Sequence, residues 1–241
     1  MRPWGYVVEP WGERATIARV TKKRHPLRAF VSRVRQRFRS SASRNLDQCA
    51  EENLWQSYFD GAEGLIDDEW DRLIWPCIEH FDFGSCLELA PGGGRNTVKL
   101  AALADSIVLV DYNDYALERC RARFGDRIGE CTLRYVENDG RSIPHVDDGS
   151  ISAIYCWDSA VHFAPEVIAS YARAFARVLA PGGRGFLHHS DLGPSASPNL
   201  KENAHWRTQA DRAGVRRDFE AAGLTVDAQH DIPWKARGRE P

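Results

Sequence analysis

Leu87-Glu88-Leu89-Ala90-Pro91-Gly92-Gly93-Gly94-Arg95-Asn96-Thr97 decides the fold. It reads as a short apolar strand from Ser85 to Leu89, a glycine-rich turn, and an amphipathic helix opening at Arg95. Such a turn brings backbone N–H groups and a helix N-terminus close to a ligand without Cβ obstruction. Alone, a glycine-rich turn is shared by several nucleotide sites. Glu88 discriminates among them, because a pyrophosphate at this place would be repelled by the carboxylate. A ligand with a cationic amino-acid end would not.

Working outward, the apolar run Ile107 to Val110 ends in Asp111, the spacing at which an acid closing a second strand meets a ribose diol. A third segment, Leu133 to Glu137, leads into Asn138-Asp139-Gly140, and a fourth strand runs from Ile151 to Cys156. Three polar motifs thus fall at the carboxyl ends of successive strands, the edge where open α/β sheets bind ligands.

In these residues the chain resembles the class I S-adenosylmethionine-dependent methyltransferases, over roughly Asp82 to Trp234. The resemblance implies a Rossmann-like α/β fold, a doubly wound and mainly parallel sheet. It also implies S-adenosylmethionine as the methyl donor. By position, Glu88, Ala90, Pro91, Gly92, Gly94 and Arg95 would wrap the methionine end. Asp111 and Tyr112 would hold the ribose, and Asn138, Asp139 and Gly140 would meet the adenine. Ala90 stands where the family has its first glycine, and Asn138 where it has the glycine before the acid. The family closes its sheet with an antiparallel hairpin after the fifth strand. Here a sixth strand, Leu224 to Ile232, is followed by a polar tail from Lys235 to Pro241, so the final strand is expected to be missing.

The remaining helices and strands follow from periodicity and punctuation. Helices are expected at Asn96–Ala104, Asp114–Phe124, Pro165–Leu179 and Thr208–Ala222, with a fifth strand at Gly185–Ser190. Pro181-Gly182-Gly183 reads as a helix stop and turn. Leu192 to Ala204, rich in Pro, Ser and Asn, reads as a mobile loop beside the site.

The chemistry-bearing candidates cluster after the fourth strand, in Trp157-Asp158-Ser159-Ala160-Val161-His162-Phe163. Trp157 either lies against the donor or packs in the core. If the chain turns helical at Asp158, that acid and His162 face each other four residues apart. The acid could then orient an imidazole acting as general base. Strand five ends in His188-His189-Ser190-Asp191, and alternation sends the two histidines to opposite faces. Asp158 and Asp191 are candidates to hold Mg²⁺, which prefers oxygen ligands. A narrower resemblance, to bacterial methyltransferases of glycan modification, rests on residues 157–163, the His188-His189-Ser190 strand end, the Asn203-to-Arg207 loop and Ala222-Gly223-Leu224-Thr225-Val226. It implies O-methylation of a sugar hydroxyl. The alternatives are a methyltransferase of a non-sugar small metabolite and a non-catalytic donor-binding scaffold. A nicotinamide dehydrogenase is disfavoured by Glu88 and by Thr97 at the third-glycine position.

Bulk properties bound the reading. The 241 residues suit one α/β domain with extensions, and 43% hydrophobic with 27% charged residues is globular composition. The six cysteines form no C-x-x-C pair, which reads as free thiols in a reducing compartment. No apolar run suits a bilayer span or a secretory signal, so a cytoplasmic protein is expected. The net charge of −2 hides an asymmetry: residues 1–45 hold twelve Lys/Arg against Glu9 and Glu13, a surplus of ten that leaves −12 for the remainder. This division suggests a basic N-terminal arm over residues 1–45, then a methyltransferase domain over 46–241 with a helical lid at 46–81 and a core at 82–234. Within the arm, Leu27, Phe30, Val31, Val34 and Phe38 form one helical stripe. A basic amphipathic helix suits an anionic membrane surface, an acidic partner or self-packing, and would leave the protein peripheral to the inner face. Nucleic acid is not expected, since the arm lacks interleaved aromatics.

Overall fold

Period-two alternation divides the strand side chains between two cores. Leu87, Leu89, Val108, Val110, Ile154, Cys156 and Leu187 face one cluster, and Cys86, Ile107, Leu109, Ala153, Tyr155 and Phe186 face the other. A sheet apolar on both faces must be covered by helices on both, the doubly wound solution. The computed structural model describes residues 14–22, 69–203 and 206–233.

In chain order the strands are β1 (Arg14–Lys22), β2 (Ser85–Leu89), β3 (Ser106–Asp111), β4 (Arg127–Ile128), β5 (Cys131–Glu137), β6 (Ile151–Cys156), β7 (Leu179–Ser190) and β8 (Leu224–Pro233). The helices are α1 (Trp75–Ile78), α2 (Thr97–Ala101), α3 (Asp114–Phe124), α4 (Pro165–Val178) and α5 (Arg212–Ala221). A π-helical turn, Trp70–Ile74, leads into α1, and Pro76 occupies the first turn of α1, where its missing N–H costs nothing. Phe175 of α4 and Phe219 of α5 pack on one face of the sheet; Ile74, Ile78 and Leu100 pack on the other. The fold is the expected Rossmann-like α/β architecture.

The sheet order is β4-β5-β3-β2-β6-β7-β1-β8. From β2 the chain proceeds outward through β3 and β5, then returns to β2's other side with β6. The boundary between β2 and β6 is therefore the topological switch point, where such sheets open a crevice for ligand.

Residues 14–22 depart from the expected division of the chain. They are not part of an arm beside the domain: β1 lies inside the sheet, antiparallel to β7 on one side and to β8 on the other. Ile17 pairs with His188 and with His230. The antiparallel partner missing after β8 is thus supplied from the other end of the sequence. Arg19 donates to Nε2 of His80 at 3.1 Å, tying β1 to the segment after α1. The stripe at residues 27–38, residues 46–68 of the expected lid and the tail at 235–241 lie outside the described residues.

A second departure is local. Pro181–Gly183 does not separate a helix from a strand; it is looped out of β7 itself. The parallel register with β6 jumps from Ile151↔Leu179 to Ala153↔Arg184, so the surplus residues bulge. Gly183 is required there, because an added Cβ would lie 2.9 Å from the Ile151 carbonyl oxygen.

Candidate active site

The turn after β2 takes a left-handed path: φ is +57° at Ala90, +58° at Gly92 and +81° at Gly94. Ala90 therefore holds a conformation that glycine adopts at no steric cost. Its N–H donates to the Val110 carbonyl at 2.7 Å, and its own carbonyl accepts from Ser159 Oγ at 3.2 Å. These bonds tie the turn to β3 on one side and to the segment after β6 on the other. The Pro91 carbonyl accepts from the Gly94 N–H at 3.0 Å. Gly94 has a packing role: an added Cβ would lie 2.4 Å from the Phe124 ring and 3.2 Å from Cys120 Sγ.

Glu88 is 1% exposed, and its Oε2 accepts from Thr97 Oγ1 at 2.6 Å. Burial pushes its carboxyl up to about 7, against the opposing pull of Thr97 and Arg95. Asp111 is also buried and is raised to about 6 by burial, opposed by the backbone N–H groups of Asn113, Tyr112 and Gly92. Asp111 thereby links the end of β3 to the glycine turn. Asn113, at the N-cap of α3, accepts from the Tyr115 N–H at 3.1 Å and orients the helix start beside it.

The third motif is a braced turn. Asp139 Oδ1 accepts from the N–H groups of Arg141 and Ser142 at 2.9 and 2.7 Å and from Ser142 Oγ at 2.9 Å. Although burial opposes it, these bonds hold its carboxyl below the usual range. Asn138 accepts from the Gly140 N–H at 3.0 Å and donates to the Tyr171 hydroxyl at 2.9 Å. Its backbone N–H reaches the Asp111 carbonyl at 2.9 Å, and a Cβ added at Gly140 would lie 3.7 Å from that of Tyr112. The motifs of Asp111–Tyr112 and Asn138–Gly140 thus meet at one edge.

Across the switch point, Arg95 donates to Asp158 Oδ2 at 3.0 Å and lies 3.8 Å from Glu69 Oε2. Trp157 Nε1 donates to the same Glu69 carboxylate at 3.3 Å. Glu69, just ahead of the π-helical turn, was not among the residues expected at the site; only the fold brings it to residues some 26 and 88 positions away.

The chain does not turn helical at Asp158. Its φ is +58°, and only a short 3-10 turn, Ala160–His162, follows. The expected pairing of acid and imidazole along one helix face is therefore replaced by two other arrangements. Asp158 pairs with Arg95, while His162 Nδ1 lies 3.0 Å from the Trp206 carbonyl oxygen. A carbonyl only accepts, so Nδ1 carries a proton, and in the neutral form of the ring Nε2 is the acceptor nitrogen.

His188 and His189 do lie on opposite faces. His188 stacks on Trp157 at 4.3 Å, and its Nδ1 accepts from the Asp158 N–H at 3.2 Å. Burial, with the nearby Arg207 charge, keeps it neutral by pushing its pKa well down. His189 is buried on the other face and is lowered to about 4 by burial. Trp157, stacked on both His188 and Phe186, is a packed, buried side chain.

The Mg²⁺ expectation does not fit the donor set. Asp158 faces Arg95, and Asp191 faces Arg212 from β7's end, accepting its N–H at 2.8 Å and its Nε at 3.2 Å. Each carboxylate is neutralised by a guanidinium, and no group of three or more His, Cys, Asp or Glu among the described residues could hold a metal ion. Among its described residues the loop after β7 carries internal hydrogen bonds. Asn203 Nδ2 donates to the Ser197 and Arg207 carbonyls, both at 2.8 Å, and Gln209 donates to the Ala196 carbonyl at 2.7 Å.

Residues 86–183 match the methyltransferase domain family. Over those residues the chain is similar to S-adenosylmethionine-dependent methyltransferase domains, as its strand-end motifs imply. The structure brings together at the switch point a left-handed glycine turn, the buried Glu88 and the buried Asp111. Among solved structures, a complex of the Haloferax volcanii Trm112 methyltransferase activator with a candidate methyltransferase is 17% identical, with a TM-score of 0.54 over 71% of this chain and 76% of that one. The YcgJ protein of Bacillus subtilis is 20% identical, with a TM-score of 0.51 over 62% of this chain and 65% of that one. A methyltransferase-like structure from Bacillus halodurans is 23% identical, with a TM-score of 0.46 over 58% of this chain. The domain spans 62% of that Bacillus halodurans chain. At these identities the likeness is one of fold. No curated protein matches the chain. Among the described residues no helix is long and apolar enough to cross a membrane.

Proposed function

We propose that the protein moves the methyl group of S-adenosylmethionine onto a hydroxyl of a sugar or glycan, with His162 as the general base. When bound, the donor supplies an electrophilic methyl carbon on a sulfonium. Glu88 to Arg95, Asp111, Tyr112 and Asn138 to Gly140 would hold it. The observation that carries this reading is the contact between His162 Nδ1 and the Trp206 carbonyl. It favours the tautomer in which a neutral ring would offer Nε2 as a proton acceptor, the property needed to activate a hydroxyl. The sugar class draws on the local resemblance of residues 157–163 and 203–207.

His162→Ala is expected to lower kcat by roughly 10²-fold or more on an accepted methyl glycoside, while calorimetry shows donor affinity unchanged. EDTA is expected to leave turnover unaffected, because Asp158 and Asp191 are engaged by arginines. Near-normal turnover of the variant would assign the base elsewhere.

A further inference from the structure

We propose that Trp206 is the platform on which the acceptor ring stacks, a binding role built into the same loop that orients His162. The inference rests on the reading of His162 as the base. Among the described residues Trp206 is the one exposed Trp, Phe or Tyr, at 43%. An exposed indole forgoes the favourable burial that tryptophan obtains elsewhere in this domain. It is also held in a conformation that bulky residues rarely adopt, φ +56°.

The surrounding bonds enforce that placement. The Trp206 N–H donates to the Asn203 carbonyl at 3.1 Å, and Asn203 Nδ2 holds the next carbonyl, Arg207, at 2.8 Å. Arg207 turns inward and is 1% exposed. Thr208 is then pinned to the 3-10 turn: its N–H donates to the Val161 carbonyl at 3.1 Å and its Oγ1 to the Phe163 carbonyl at 2.8 Å. One short segment therefore presents an indole outward while its own carbonyl contacts the imidazole at 3.0 Å. Because the backbone of Trp206 touches that imidazole, a ring stacked on the indole would hold its hydroxyls near His162. The chemistry this suits is a pyranose, whose C–H face is weakly polar and whose edge carries hydroxyls. Aromatic side chains bind such rings by face contact, and the hydroxyl edge stays open to the base.

The binding measurement uses the full chain saturated with S-adenosylhomocysteine and reads the indole Nε1 NMR signal of Trp206, assigned by its loss in Trp206→Gly; turnover is measured separately with S-adenosylmethionine. Methyl glycosides of gluco, galacto, manno and rhamno configuration are titrated, with catechol as a planar non-sugar ring. Glycine accepts the left-handed backbone freely, so Trp206→Gly removes the indole while keeping the loop. A glycoside is expected to shift the signal and to show KM raised about tenfold in Trp206→Gly, equivalent to about 1.4 kcal/mol, with kcat within about threefold and partial recovery in Trp206→Phe. Response to catechol alone would keep the platform and overturn the sugar reading. No response to any ring would overturn the platform. So would a fall in kcat at unchanged KM, since that is the signature of a residue acting only through His162.

Discussion

Asp158 binds Arg95 at 3.0 Å from a left-handed backbone, closing an ion pair across the switch point between β2 and β6. The two side chains are 12% and 11% exposed, so the pair is largely desolvated. Breaking one partner of such a pair leaves an uncompensated charge, typically at a cost of about 3–5 kcal/mol, and Glu69 at 3.8 Å offsets part of it here. Asp158→Asn keeps a residue tolerant of positive φ and removes the charge. Urea unfolding is expected to show a loss of about 2–3 kcal/mol; a change below about 0.5 kcal/mol would contradict this account.

Glu88 gives the ligand-free protein a pH dependence. Its folded-state carboxyl lies at about 7, above the ordinary 4.5, so the folded state binds the proton more tightly than the unfolded chain. This contribution is fully present below about 4.5 and is lost as pH rises through about 7. Asp111, raised to about 6, acts in the same direction from 3.8 upward. Glu88→Gln should therefore flatten the fall in stability between pH 5 and 8 and raise stability at pH 8 by up to about 3 kcal/mol. The same variant should weaken donor binding by losing the anion. An unchanged pH slope in chemical denaturation would show that Glu88 is not the group responsible.

The N-terminal strand should be indispensable. Ile17 sits mid-strand between β7 and β8, where proline cannot donate to a ladder and leaves an acceptor unmet. Ile17→Pro is expected to cost about 2–4 kcal/mol in urea unfolding. Deleting residues 1–39 should abolish cooperative unfolding, where a detachable arm would leave it intact.

Gly94 is constrained by Phe124 as well as by its backbone. Gly94→Ala should destabilise by about 2–4 kcal/mol, from overpacking together with positive φ. Adding Phe124→Leu should recover the packing part and leave the backbone part. A double variant no more stable than Gly94→Ala would place the whole cost in the turn.

The helices and parallel strands were legible because their signals are local. Leu87 and Leu89 against Cys86, or Val108 and Val110 against Ile107 and Leu109, alternate within a few residues, and Glu88, Asp111 and Asp139 lie at or just past the ends of such runs. Ligand motifs at strand ends follow directly, since the chain must turn there. β1 carried a signal too, the β-branched Thr16, Ile17, Val20 and Thr21, but it lay within a run of basic residues. Its partners, Ser190 to Arg184 and Pro233 to Leu224, lie far along the chain, and no local pattern names a partner.

The sequence by itself determined a doubly wound α/β domain and its three polar strand-end motifs, because period and punctuation are properties of neighbouring residues. Tertiary structure decided what depends on distant segments meeting. It inserted residues 14–22 between β7 and β8, gave Asp158 to Arg95 and not to His162, and brought the Trp206 carbonyl to that imidazole. It also engaged Asp191 with Arg212, removing the carboxylate pair that a metal would need. Charges and hydrogen-bonding groups are satisfied by whichever partner the fold places nearest, and spacing along the chain does not specify that partner.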